Sequence, residues 1–287
     1  PILALLVLSL GACSKARGDD FSRFRPVEKL EAPGKAPRHS LRYRPTPGED
    51  AVYQLAATRQ SSQTKVKSRM RLRVALSLSG KASDPRFQLR LLNVLRLEPS
   101  SPEAAPELGP AHALLQGTLG PRGALDRLEV SDALPLPVNL VLVAPLLLPT
   151  YPDQQVGVGA RWKVARQYRW QRKQAADSLT QRAGFDGRTD LLLRLAYQLA
   201  SANPKGDQPR LTLTAKVQGK LRSRTTTLGH TTRHQGKATG DVTLVVDRST
   251  GLPEQVTVKL TGEYRLRAND GKSKVTETIE VKLTRER

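Results

Sequence analysis

Apolar and polar residues alternate along most of the chain from Leu41 onward. In residues 69–79, RMRLRVALSLS, the even positions are apolar and most of the odd positions are arginine or serine. The same alternation recurs in residues 191–199, 211–221, 242–246 and 278–284. A period of two is typical of a β-strand with one buried face and one solvated face. The pattern therefore predicts a mostly β domain built from antiparallel sheet.

The predicted strands are long. The alternation around residues 65–79 extends over fifteen residues, whereas a strand usually has about five or six. Long strands curl, because a flat sheet would leave too much of its apolar face in water. We therefore expect one large curved antiparallel sheet, in the form of a half-barrel or an open barrel.

One segment breaks the alternation. Residues 134–149, LPLPVNLVLVAPLLLP, are almost wholly apolar, but they are too short and too rich in proline for a transmembrane helix. They fit either a short helix or irregular plug on the concave face of the sheet, or a fully buried central strand. Pro145 argues against a central strand, since proline cannot donate a hydrogen bond to the ladder. We expect the helix or plug.

Two segments, LGPRGALDRLEV at 119–130 and VDRSTGLPEQVTV at 246–258, resemble each other. Each contains a turn that ends in glycine, at Gly123 and at Gly251, followed by an acidic residue and renewed alternation. Glycine supplies the positive φ that such turns require. Internal duplication and ordinary hairpin chemistry both explain the similarity.

The single cysteine, Cys13, directly follows a run of apolar residues. Residues 2–10, ILALLVLSL, have the length of a signal-peptide apolar region, and we expect the start methionine and the charged region to lie upstream. Leu10 to Cys13, LGAC, resembles the lipobox of bacterial lipoproteins. The resemblance implies cleavage before Cys13 and a diacylglycerol on its sulfur, while Ser14 in place of Asp implies the outer membrane, facing the periplasm. The alternative is an ordinary signal peptide.

Residues 14–40 are rich in charge, proline and glycine and show neither a helical nor a strand period. Such a composition cannot bury a core and is typical of a flexible tether. The predicted organisation is therefore a signal-peptide remnant at 1–12, a lipidated cysteine and tether at 13–40, and an antiparallel β domain at 41–287.

The chain is strongly basic, with 47 Lys and Arg against 26 Asp and Glu and a formal charge of +21. This excess suggests an anionic partner such as anionic lipid, lipopolysaccharide or acidic polysaccharide. Nucleic acid is not expected, because aromatic residues make up only 4% of the chain and no recognition helix or zinc module appears. Alternatively, the cations only make a β surface soluble. The predicted outward basic residues are Arg69, Arg71, Arg73, Lys216 and Lys220.

One predicted strand, RWKVARQYRWQ at 161–171, places an arginine among aromatic residues on its inward face. The candidate ligand-binding residues are Trp162, Arg166, Tyr168 and Trp170. Either they belong to a core strand whose arginine stacks on aromatics or pairs with a carboxylate such as Glu277, or they line a cavity where Arg166 meets the acidic head of an amphiphile. No pair of nucleophile and base, metal-ligand cluster or phosphate-binding loop stands out, so we expect no enzyme, no metal and no cofactor.

The lipobox, the β domain, the apolar plug and the run PDQQVGVGARWKV at 152–164 resemble a group of uncharacterised bacterial cell-envelope lipoproteins. The fold expected from this resemblance is similar to the half-barrels of the lipoprotein-carrier proteins that take acyl chains through the periplasm. The resemblance implies a membrane-anchored protein that binds a lipid or other amphiphile in its curved sheet. The alternative is a non-catalytic structural or interaction protein that docks on anionic envelope polymers or a protein partner through its basic face.

Overall fold

The computed structural model describes residues 24–44, 50–62, 67–81, 84–98, 113–120, 122–130, 143–172, 186–203, 209–227, 230–268 and 271–286. The first half contains β1 (Val27–Ala32), β2 (Asp50–Ser61), β3 (Lys67–Lys81), β4 (Asp84–Glu98), β5 (Ala113–Leu119), β6 (Leu125–Val130) and one helical turn, α1 (Ala144–Leu147). The second half contains β7 (Arg161–Arg172), β8 (Asp186–Asn203), β9 (Arg210–Thr227), β10 (His230–Asp247), β11 (Pro253–Ala268) and β12 (Gly271–Arg285).

All twelve strands form one antiparallel sheet that is not closed. The order is β1-β7-β8-β9-β10-β11-β12-β2-β3-β4-β5-β6, so that β1 and β6 are the edge strands. The sheet curls far enough for β6, at one edge, to contact β7, the second strand from the other edge. The predicted large, curved, mostly antiparallel sheet is confirmed.

The inner face of this sheet forms the hydrophobic core. In β3, Met70, Leu72 and Val74 are at most 2% exposed, while Arg71 and Arg73 between them are exposed. One continuous cluster of buried apolar side chains joins the inner faces of the long strands to α1. The alternation seen in the sequence therefore separates a covered inner face from a solvated outer face.

The apolar plug lies on the inner face. Residues 143–152 are all buried, and α1 has Pro145 in its first turn, where the missing N–H removes no helical hydrogen bond. The Tyr43 hydroxyl donates to the Pro149 carbonyl at 2.9 Å, and the Tyr151 hydroxyl to the Gly251 carbonyl at 2.8 Å. The helix or plug is thus confirmed over the central strand for the described part; residues 134–142 lie outside the described residues.

The two similar turns have the same backbone requirement. Gly123 has φ 87° and Gly251 has φ 75°, in the left-handed region that side chains other than glycine avoid. Both turns press against the chain around Tyr43: a Cβ on Gly123 would lie 2.5 Å from the Tyr43 ring, and one on Gly251 would lie 2.4 Å from the Arg42 carbonyl oxygen. Turn geometry and close packing therefore both demand glycine here.

The predicted boundary between tether and domain at residue 40 needs correction. β1 pairs with β7 along Val27–Ala32, and the backbone of His39 bridges to Val156 in both directions, at 2.7 and 2.9 Å. The sequence did not reveal β1 because VEKLEA does not alternate: Glu28 lies on the same face as Leu30, and Val27 is exposed on the other face. The folded part begins at or before Val27, and residues 1–23, including Cys13, lie outside the described residues.

Candidate functional site

Trp162, the first of the predicted ligand-binding residues, lies beneath the plug. It is 1% exposed, its ring stacks on Tyr197 with centroids 5.2 Å apart and an interplanar angle of 13°, and its Nε1 donates to the Thr150 carbonyl at 2.8 Å. Both the apolar faces and the polar edge of the indole are thus occupied by the protein. Trp162 is a core residue that holds the plug on the sheet.

Arg166 pairs with a carboxylate of the protein. Its Nη2 lies 3.2 Å from Glu28 Oε1, and Glu28 Oε2 lies 3.0 Å from Arg122 Nη1. The side chains of Arg166 and Glu28 are only 17% and 18% exposed. Because Glu28 belongs to β1 and Arg122 to the turn between β5 and β6, this carboxylate joins the two ends of the sheet.

The partner suggested by the sequence, Glu277, pairs with Arg59 instead. Glu277 lies on β12, five strands away from β7 in the sheet order, which amounts to about 24 Å along the sheet at about 4.8 Å per strand. Arg166 therefore pairs with a carboxylate on the inner face, but that carboxylate is Glu28 of the edge strand β1 and not Glu277.

Tyr168 is buried at 8% exposure on the same face. The backbone of Trp170 pairs with Thr189 in β8, but its side chain lies outside the described residues. Trp162, Arg166 and Tyr168 therefore share one face, as predicted. Their surroundings are a packed core with an internal ion pair, which is the first of the two interpretations given by the sequence.

A groove of about 410 Å³ lies elsewhere, on β11, β12, β2, β3 and β4. Its charged lining consists of Arg69, Arg71, Arg96, Lys259, Lys282 and Glu280, all from the outer face of the sheet. Ala56 separates Arg71 from Lys282 in the same cross-strand row, so a small side chain forms the floor between long basic ones. The result is an open, shallow, basic groove.

Part of the charge in this groove is neutralised by cross-strand pairs. Arg69 lies 3.5 Å from Glu98, and Lys259 lies 3.9 Å from Glu280. Arg71 and Lys282 have no ion-pair partner among the residues that the structure describes. These two exposed cations, on either side of Ala56, remain available to an anionic group that enters the groove.

The basic residues predicted to point outward do so. Arg69 and Arg71 line the groove, Arg73 pairs with Glu286 at 2.8 Å, and Lys216 pairs with Asp241 at 2.6 Å; Lys220 is half-buried. The outward basic residues predicted from the sequence did not include Arg96, Lys259 or Lys282. In the sequence these residues appear only as cations at alternate positions of three separate strands. Because those strands lie far apart in the chain, the sequence does not show that the three cations meet.

The inner face becomes polar towards one end of β10–β12. His234 is half-buried there, and burial lowers its pKa, although the nearby Glu277 acts in the opposite direction. Burial raises the pKa of Tyr264 to about 12. Within the described ranges, no cluster of three or more His, Cys, Asp or Glu could hold a metal ion.

In the part of the chain that the structure describes, no helix has both the length and the apolar character needed to cross a membrane. Neither a protein-family model nor a curated protein sequence matches this chain.

Proposed function

We propose that this chain is a lipid-anchored, non-catalytic protein of the bacterial cell envelope that docks on an anionic envelope polymer through the basic outer face of its sheet. The anchor is a diacylglycerol on Cys13 that inserts into the outer membrane, and the folded part lies in the periplasm or at the cell surface. The polymer carries phosphate or carboxylate groups, as lipopolysaccharide and acidic polysaccharides do. The observation that carries the proposal is the groove between Arg71 and Lys282.

The inner face of the sheet is already occupied by side chains of the protein, which favours a binding site on the outer face. A ligand's acidic head would have to displace Glu28 from Arg166, and a buried cation is stable only with a partner. Trp162 is covered by Tyr197 and the plug. By contrast, the groove is open to solvent, and two of its cations have no partner among the described residues, so an anion can bind there without displacing a protein group.

Groove binding can be tested with lipopolysaccharide immobilised on a surface. We expect the purified chain to bind and the double variant Arg71→Gln/Lys282→Gln to bind more weakly and with less dependence on salt, because exposed charges are screened by ions. The matched control is Arg73→Gln/Lys216→Gln, which removes the same charge from paired residues. Equal weakening by both variants would mean that net charge alone governs binding and would contradict the proposal.

The anchor has its own test. Expressed with a complete leader in a Gram-negative host, the protein should incorporate labelled palmitate and partition into detergent, and Cys13→Ala should abolish both. Label that persists in the Cys13→Ala protein would exclude lipidation at this position.

Amphiphile binding by Trp162, Arg166, Tyr168 and Trp170 is the alternative, and it has less support from the geometry. Denaturing extraction of the purified protein followed by mass spectrometry distinguishes the two functions. A stoichiometric acyl lipid that is lost in a folded Arg166→Leu variant would favour the alternative over the groove.

A further inference from the structure

A row of five cations crosses the outer face at one end of the sheet. The register places Arg188 (β8) opposite Arg224 (β9), Arg224 opposite Arg233 (β10), Arg233 opposite Arg267 (β11) and Arg267 opposite Lys272 (β12). All five are exposed. We call this row the cation ladder. With neighbouring strands about 4.8 Å apart, it extends over about 19 Å.

A second row beside the ladder is also basic. It contains Arg169, Arg222, Arg265 and Lys274, with Asp190 as its one carboxylate. Asp190 is 3% exposed and lies 2.8 Å from Arg169 and 3.1 Å from Arg188. The two rows are two residues apart along each strand, or about 7 Å, so together they form a broad basic patch.

The ladder differs from the middle of the outer face in how its charge is balanced. One row of the middle alternates in sign and is joined by the pairs Lys216–Asp241, Lys259–Glu280 and Arg69–Glu98. In the ladder, Arg224, Arg233, Arg267 and Lys272 have no carboxylate partner among the described residues. Like charges placed directly opposite each other on adjacent strands are destabilising. Cations that merely made the surface soluble would not require this arrangement.

The chain enters the sheet from the same end. β1 is antiparallel to β7, with Leu30 opposite Trp162 and Val27 opposite Ala165. The N-terminal end of β1 therefore points towards the C-terminal end of β7, where Gln171 lies opposite Arg188 of the ladder. Six residues separate Ala165 from Gln171 along β7, or about 20 Å. The start of β1 thus faces the end that carries the ladder.

We propose that the cation ladder docks on the anionic lipid headgroups of the membrane that holds the Cys13 anchor. The inference rests on the lipidation of Cys13 in the proposed function. Cys13 and Val27 are fourteen residues apart, a length of chain that reaches at most about 48 Å and therefore allows the ladder to touch the surface into which the acyl chains insert. Lipid attachment combined with a polybasic surface holds a protein on a membrane more firmly than a lipid alone.

The shape of the patch favours a membrane over a single polymer strand. The two rows form a broad surface on the convex side of the sheet. Arginine donates to two oxygens of one phosphate at once, and an array of headgroups offers phosphates to both rows together. Lys282, in the groove, lies ten residues along β12 from Lys272, or about 34 Å away, so a protein docked by its ladder holds the groove away from the bilayer.

The test uses the full chain with Cys13→Ser, so that lipidation does not contribute. This protein should float with vesicles of phosphatidylcholine and phosphatidylglycerol, but not with phosphatidylcholine alone. Each basic residue near an anionic membrane contributes about a factor of five to affinity, so Arg233→Gln/Arg267→Gln should bind about 25-fold more weakly. The matched control, Arg73→Gln/Lys216→Gln, carries the same charge change at cations that pair with carboxylates outside the ladder and should bind like the parent.

Equal losses of vesicle binding from both double variants would overturn the proposal. Vesicle binding that survives about 1 M salt would also overturn it, because at that concentration charges more than about 3 Å apart are screened from each other. Vesicle binding unaffected by the ladder variant, with loss of binding to soluble polyphosphate instead, would also overturn it in favour of a polymer. The proposed function is tested separately, because it predicts that lipopolysaccharide binding depends on the groove variant Arg71→Gln/Lys282→Gln and not on the ladder variant.

Orientation gives an independent readout. The Cys13→Ser protein contains no other cysteine. A fluorophore can therefore be attached at Gln235→Cys, which lies in the second row between Arg222 and Arg265, or at Thr284→Cys, at the far end of β12. A quencher on the lipid headgroups should quench the first label and leave the second bright. Equal quenching of the two labels would contradict docking through the ladder.

Discussion

The carboxylate of Glu28 should be a stabilising link between the two ends of the curled sheet. Its two oxygens lie 3.2 Å from Arg166 and 3.0 Å from Arg122, and the latter residue belongs to the turn before the opposite edge strand. The substitution Glu28→Gln preserves the size of the side chain and removes its charge. It leaves Arg166, whose side chain is 17% exposed, with a neutral neighbour.

The expected cost lies between two limits. Removing one partner of a fully buried ion pair costs about 3–5 kcal/mol, whereas an exposed pair contributes about 0–1 kcal/mol. Glu28 and Arg166 are mostly but not fully buried, and Arg122 is 35% exposed, so we expect a loss of about 2 kcal/mol in the free energy of unfolding. For a chain of this size that corresponds to a fall in Tm of about 4–8 °C.

Urea unfolding followed by tryptophan fluorescence measures this loss, since Trp162 is buried against Tyr197. Glu31→Gln is the control, because Glu31 lies on the same strand and pairs with the exposed Lys163; its unfolding midpoint should hardly move. In the Glu28→Gln background, Arg166→Leu should recover stability by removing the unpaired cation. A Glu28→Gln protein as stable as the parent, or additive losses in the double variant, would refute the argument.

Three further predictions concern the glycine turns, the buried histidines and the plug. Gly251→Ala should lower the midpoint of urea unfolding far more than Gly159→Ala, because Gly251 has φ 75° and its added Cβ would lie 2.4 Å from a backbone oxygen, whereas Gly159 has φ 86° but no atom within 4 Å. The strained backbone alone costs about 1–3 kcal/mol at either position. Equal losses in the two variants would contradict the role of packing at Gly251. Burial lowers the pKa of His39 and His234, so as the pH falls from about 7.5 to 5 the unfolded chain takes up protons first and the free energy of unfolding should decrease; the decrease should be smaller in a His39→Asn/His234→Asn variant. Trp162→Phe removes the donor to a plug carbonyl and should lower the free energy of unfolding by about 1–3 kcal/mol, measured by urea unfolding with circular dichroism.

Local chemistry was readable from the sequence. The alternation at residues 69–79 predicted strand β3 and the outward direction of Arg69, Arg71 and Arg73, because successive side chains of a strand must point to opposite faces. The proline-rich apolar run indicated a plug in place of a strand. Gly123 and Gly251 indicated turns that need a positive φ, and both residues have one. Each of these features depends on residues that are neighbours in the chain.

Edge strands left a weaker signal. β1 has one neighbouring strand, and its six residues include two glutamates and a lysine. Leu30 packs against the core, but Glu28 on the same face interrupts the apolar pattern. A strand of this composition reads as a flexible segment, and only its pairing with β7 assigns it to the fold. For the same reason the tether was predicted to extend to residue 40.

The partners of charged residues were decided by the tertiary structure alone. Arg166 and Glu28 are 138 residues apart in the sequence, and nothing in their surroundings distinguishes Glu28 from Glu277 as the partner. The cation ladder is the clearest case, since its members come from five different strands. Within a strand, alternation turns a cation away from the buried face, but none of the five lies in an alternating segment found in the sequence. Only the register between strands, set by hydrogen bonding and by burial of the inner face, brought them into one row.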